Sequence, residues 1–105
     1  MARFDVYPNP GAHASTTPYL LDVQTGLLDG LDSRVAIPLR SLAHFAKVKL
    51  PTRLTPVLQV NGQDYLLETP KMGSVPARIL KNSVASLSEQ QEHITGALDF
   101  LFQGY

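Results

Sequence analysis

The stretch that decides the fold is Val57-Leu58-Gln59-Val60-Asn61-Gly62-Gln63-Asp64-Tyr65-Leu66-Leu67. Asn61 and Gly62 stand between two apolar runs, and these residue types accept the positive φ angles of a type I′ turn at small cost. A two-residue loop fixes the register, setting Val60 opposite Gln63, Leu58 opposite Tyr65 and Val57 opposite Leu66. Side chains alternate along a strand, so Leu58, Val60 and Tyr65 share one face.

Upstream, Arg3-Phe4-Asp5-Val6-Tyr7 alternates, with Phe4 and Val6 on one face and Arg3, Asp5 and Tyr7 on the other. Period two marks a half-buried strand. Pro8-Asn9-Pro10-Gly11 breaks it, and the small polar run to Pro18 reads as a surface loop. Residues 19–24 form a second strand, with Leu21 and Val23 on a common face. Leu27-Leu28 sit in a turn-like stretch between Gly26 and Gly30. Residues 34–39 form a third strand, whose Pro38 pushes its end toward an edge or bulge. Residues 41–50 are ambiguous: Leu42, Phe45, Ala46 and Lys49 fit a short helix that Pro51 stops. Residues 75–80 read as a further strand, started by Pro76.

The tail reads as a helix. Ser88 and Gln91 have capping-box spacing, and Glu89 and Glu92 lie at the positive end of the helix dipole. Ile94, Ala97, Leu98, Leu101 and Phe102 follow the spacing of one buried face. Gly96 costs roughly 1 kcal/mol relative to Ala in a helix, and a close backbone approach is the expected compensation. The helix runs out at Gly104. Five or so strands, one C-terminal α-helix and no strand–helix alternation give a mainly β chain, an antiparallel sheet or small open barrel. Residues 1–105 read as one domain.

Composition narrows the function. The chain of 105 residues has 44% hydrophobic and 17% charged residues, which is ordinary globular composition rather than disorder. It has no cysteine, which removes disulfides and thiolate metal sites. The N-terminus lacks a signal-peptide pattern and no apolar run is long enough for a membrane helix, so a cytoplasmic protein is expected. Net charge is zero but uneven: Arg34, Arg40, Lys47, Lys49 and Arg53 occur in residues 33–63 without an acid, while residues 82–105 carry Glu89, Glu92 and Asp99 without a base. A neutral whole gives little of the counterion release that drives nucleic-acid binding.

No catalytic constellation stands out. His13, His44 and His93 have no ligand-spaced partners for a metal, the glycines form no phosphate loop, and no serine sits in a nucleophile-elbow context. Asp22 and Asp29 are a pair of acids without a visible shaped site. A binding protein without metal or cofactor is the expectation.

Leu21-Asp22-Val23-Gln24-Thr25, Arg34-Val35-Ala36-Ile37-Pro38-Leu39, Pro56-Val57-Leu58-Gln59-Val60 and Met72-Gly73-Ser74-Val75-Pro76 occur in the order seen in the CcdB toxin family, and the tail from Leu87-Ser88 to Gly104-Tyr105 resembles that family's tail. The similarity spans nearly the whole chain and is weakest over residues 8–18. The resemblance implies a CcdB-like, SH3-like small antiparallel barrel with a C-terminal helix, forming a two-fold homodimer. It implies a toxin of a type II toxin–antitoxin system that binds the A subunit of DNA gyrase and traps the cleaved gyrase–DNA complex. A CcdA-like antitoxin would neutralise it, and operator DNA would be bound only by the toxin–antitoxin complex. The gyrase-binding residues implied are Leu27, Leu28, Asp99, Phe102, Gln103, Gly104 and Tyr105. Gln103 stands where the family pattern has tryptophan, and Asp99 where it has asparagine. Core packing is the other expectation for Leu28 and Phe102. Toxins of related fold cleave messenger RNA, with Arg34, Arg78, His44 and Asp22 supplying suitable residue types here. A non-toxic homologue serving as antitoxin binder or corepressor is a third reading.

Overall fold

A computed structural model describes residues 2–42 and 51–105. The strands are β1 (Asp5–Pro8), β2 (Tyr19–Asp22), β3 (Ser33–Ser41), β4 (Val57–Val60), β5 (Gln63–Leu67), β6 (Gly73–Pro76) and β7 (Ala85–Ser86), followed by the helix α1 (Gln91–Gln103). The hairpin of β4 and β5 closes in the expected register, with Asn61 at φ 50° and Gly62 at φ 85°. Leu58, Val60 and Tyr65 are all buried in the main core.

All pairings are antiparallel, in the order β4-β5-β3-β2-β1-β7, with β6 beside the first half of β3. The two ends of this order approach each other, giving a nearly closed barrel. Asn61 Nδ2 donates to Val84 O at 3.4 Å across the gap. Gln90 does more: its Nε2 donates to Gln59 O at 2.9 Å and its Oε1 accepts from Gln59 N at 3.0 Å. One side-chain amide thus offers the β4 edge what a neighbouring strand would, satisfying groups that otherwise invite edge pairing.

Ile94 and Ala97 of α1 are fully buried against Val6, Leu21, Ile37, Leu39, Leu58 and Leu67 from the sheet. A second, smaller cluster of Tyr7, Leu20, Ala36 and Leu80 covers part of the opposite face. Tyr7 is therefore buried too, whereas alternation alone placed it on the outer face. No helix among the described residues is long and apolar enough to cross a membrane.

Several local expectations are corrected. Phe4 lies just outside β1 at φ 73°, a left-handed conformation that is costly for an aromatic residue. Hydrogen bonds on both sides hold it there: its N–H donates to Asp22 O at 2.7 Å and its carbonyl accepts from Leu87 N at 2.8 Å. Pro38 lies inside β3 rather than at an edge. Val23 N bonds Val35 O, so odd-numbered β3 residues face β2 and Pro38 faces the other side. There β6 pairs only with Ser33 to Ala36 and β5 only with Leu39 to Ser41, so the missing N–H falls at the handover. Its carbonyl still accepts from Glu68 N at 3.0 Å.

The strand expected over residues 75–80 ends at Pro76, which leads into a 3₁₀ turn at Ala77–Ile79. The capping box does not form: Ser88–Gln90 is a 3₁₀ turn ahead of α1, and Ser88 Oγ accepts from Ser86 Oγ instead. Gly96 has open space where a Cβ would stand, so no close backbone approach accounts for it. The possible helix over residues 41–50 lies mostly outside the described residues.

Candidate partner-binding surface

The residues singled out by the resemblance fall on two elements, and all are exposed. Gly26–Leu28 forms a 3₁₀ turn between β2 and β3, opened by Thr25 Oγ1 accepting from Leu27 N at 3.3 Å. Leu27 is 93% exposed and Leu28 46%. Leu28 is therefore not a core residue. Two large aliphatic side chains held in water on a short turn are costly, at about 25 cal/mol per Å² of apolar surface left wet.

The second element is the end of α1. Asp99, Phe102, Gln103, Gly104 and Tyr105 are all exposed, with Phe102 and Tyr105 each at 70%. Spacing alone put Phe102 on the buried face, but the sheet covers the helix fully only at Ile94 and Ala97. Leu98 and Leu101 are half-buried, and the last turn projects beyond the core. Gly104 ends the helix at φ 80°, its N–H donating to Phe100 O at 2.9 Å, a left-handed cap that suits glycine. The last turn has no basic residue, so Asp99 adds to the partial negative charge of the helix C-terminus. Two exposed aromatic rings beside a net negative helix end suit a cationic partner surface.

Beneath the Leu27 turn lies a polar cluster that residue spacing did not reveal. Arg34 and Asp22 are both completely buried. Arg34 Nε donates to Asp22 Oδ2 at 2.9 Å and Nη2 to Asp22 Oδ1 at 3.1 Å, a two-pronged pairing. Nη2 also donates to Gln24 O at 2.9 Å. Gln24 in turn bridges to β3, its Nε2 donating to Ser33 O at 3.2 Å and its Oε1 accepting from Val35 N at 3.1 Å. Arg34 Nη1 has no hydrogen-bond partner and lies 4.0 Å from Asp29 Oδ1. Asp22 is thus the counter-ion of a buried guanidinium rather than half of an acid pair with Asp29. The signal in the sequence was only an Asp and an Arg on neighbouring strands.

A third feature is an open cleft of about 470 Å³ lined by Asn9, His13, Thr16, Arg40, Glu68 and Lys71 among others. Lys71 Nζ is 3.2 Å from Glu68 Oε2. Of the basic stretch noted in the sequence, Arg40 borders this cleft and Arg53 stacks near the Phe100 ring at 5.9 Å. Lys47 and Lys49 lie outside the described residues, as does His44. Among the described residues, no group of three or more His, Cys, Asp or Glu side chains is arranged to hold a metal ion.

The chain matches the family model described as CcdB protein over residues 3–104. That span includes β1 through α1 and both exposed elements except Tyr105. The chain, a mainly β, nearly closed antiparallel barrel with one C-terminal helix matched by this family over residues 3–104, belongs to the CcdB family of toxin–antitoxin toxins.

Proposed function

We propose that this protein is the toxin of a type II toxin–antitoxin pair, a homodimer that binds the DNA gyrase A subunit and traps its cleaved complex with DNA. The observation that carries this reading is the exposure of Leu27, Phe102 and Tyr105 on a chain of the CcdB family. Apolar side chains held in water on ordered elements are what a partner-binding surface needs. In a two-fold dimer the ends of both α1 helices would meet at the axis, doubling the patch for a symmetric target. The Leu27–Leu28 turn would border it. The protein then acts by binding, and no bond-making step falls to its own residues.

Gln103 in place of the family's tryptophan removes an aromatic anchor of the kind that often dominates interface energy. Tyr105 takes over part of that contact in this reading. Incubating the purified protein with gyrase, supercoiled DNA and ATP tests it directly. Accumulation of double-strand breaks on denaturing the mixture is expected; intact DNA at saturating protein would refute it.

Neutralisation would come from a CcdA-like antitoxin, with the basic side chains Arg40, Lys47, Lys49 and Arg53 attracting an acidic segment. Antitoxin affinity should then fall as salt rises, and a salt-independent affinity would remove this electrostatic role.

A ribonuclease reading has one observation in its favour. His13 and Glu68 line the same cleft as Arg40 and Lys71, which brings acid–base types and cations onto one concave surface. Arg34 and Asp22 do not join it, because they are buried in a pair, inaccessible to a phosphate. Incubation with RNA separates the readings, since cleavage abolished by His13→Ala would favour the enzyme.

A further inference from the structure

The chain leaves the sheet where β2 ends at Asp22 and returns at Ser33, and residues 25–32 of this connection hold Leu27 almost wholly in water. A slack loop of this kind would fold its leucines back onto the nearest apolar surface. Something must hold it out, and the buried cluster beneath it touches both of its ends. Arg34 binds the Gln24 carbonyl at the outgoing end, and the Gln24 side chain binds Ser33 O and Val35 N at the returning end. Asp22 Oδ1 also accepts from Gln24 N at 3.0 Å. Asp32 O accepts from Ala77 N at 2.8 Å, tying the returning end to the far side of β3.

Stability alone does not explain such a cluster. Burying a pair of charges costs several kcal/mol per ion before their attraction offsets it, and a well-packed apolar pair often serves a core as well or better. Here the guanidinium has more donors than Asp22 can use. Its remaining contacts point along the loop, to Gln24 O and toward Asp29. A planar fork is what such a multiple, directional role requires, whereas a lysine ammonium would neutralise Asp22 without it.

We propose that Arg34 is a positioning residue: neutralised by Asp22 and working through Gln24, it holds residues 25–32 in the one conformation that presents Leu27 and Leu28 to the partner. The inference rests on the reading that this turn contacts the gyrase A subunit. Preorganisation of this kind strengthens binding by removing the ordering cost from the association step.

The test uses two variants of the full chain, Arg34→Lys and Gln24→Ala. Hydrogen exchange is followed at Leu28, Asp29 and Leu31, whose N–H groups bond within the loop at 3.2, 3.2 and 3.1 Å. In both variants exchange at these amides should accelerate by at least about tenfold while β4 and β5 are unchanged, and affinity for the purified gyrase A subunit should fall by about tenfold or more. A role limited to neutralising Asp22 would leave Arg34→Lys like the wild type. Unchanged loop exchange in a folded variant overturns the proposal, as does a loosened loop with wild-type affinity. Should Arg34→Lys fail to fold, Gln24→Ala decides alone, because its side chain is only partly buried. A wild-type protein that does not bind the gyrase A subunit sinks the functional reading instead, and the exchange result still decides the clamp.

Discussion

Asp22 and Arg34 are separated by twelve positions in the chain and by 2.9 Å in the fold. Removing one partner strands the other charge in the interior, so Asp22→Ala should lower unfolding free energy by about 3–5 kcal/mol. Urea titration with the m-value compared to wild type checks this. The double replacement Asp22→Leu with Arg34→Met should recover most of the loss, since neither charge is then left unpaired. A loss below about 1 kcal/mol in the single variant would mean that water reaches the guanidinium. This pair was invisible at the level of spacing because β2 and β3 join across a loop whose geometry no local pattern encodes. Phe102 teaches the complementary lesson. Helical spacing reports which face a residue occupies, and the extent of the sheet decides whether that face is covered there. Leu28 and Phe102 were each open between core and surface, and exposure places both outside.

At the scale of elements, the hairpin and the terminal helix were the most legible, because each rests on short-range chemistry. Asn61-Gly62 dictates its turn, and Ile94 and Ala97, with Leu98 half-buried beside them, anchor the helix in the core. The late strands β6 and β7 were not legible in the same way, since their pairing partners, β3 and β1, supply most of what defines them. Gly96 makes the balance testable. Its Cβ position is open, so Gly96→Ala should raise stability by about 0.5–1 kcal/mol through backbone entropy and helix propensity. A drop in thermal midpoint on that substitution would reveal a contact made there only in an assembly.

Two strand tyrosines link the stability of the fold to alkaline pH. Burial raises the Tyr7 hydroxyl above its ordinary value of 10.0, with Asp5 and Asp22 adding to the effect. Burial likewise raises Tyr65, which neighbours Tyr19 edge-to-face at 5.2 Å. A raised folded value means the native state favours the neutral phenol. Stability from this source is fully present below pH 10.0 and is lost as pH climbs through the folded values. Urea midpoints should therefore fall above about pH 10, and the fall should be shallower in Tyr7→Phe. An identical alkaline slope in that variant would remove Tyr7 from the account.

At the scale of the whole molecule, the barrel nearly closes on itself, and among the described residues its most exposed large apolar side chains stand on the Leu27 turn and at the end of α1. These come from opposite halves of the chain. A second copy, as proposed, would set two helix ends together and bring the leucine turns alongside. Sedimentation at micromolar concentration should then give a dimer whose mass is unchanged by Leu27→Asp, because that residue is proposed to lie on the partner-binding surface and not in the contact between protomers.

The most direct measurement is calorimetric titration of the purified gyrase A subunit with the full chain and with a chain ending at Gln103. Removing Gly104 and Tyr105 leaves the core residues Ile94 and Ala97 untouched, so the shortened chain should keep its fold by circular dichroism. The expected result is saturable binding by the full chain and loss of at least about a hundredfold in affinity on truncation, as for removal of a central aromatic anchor. Equal affinities for the two chains would contradict the claim that the exposed helix end grips the target.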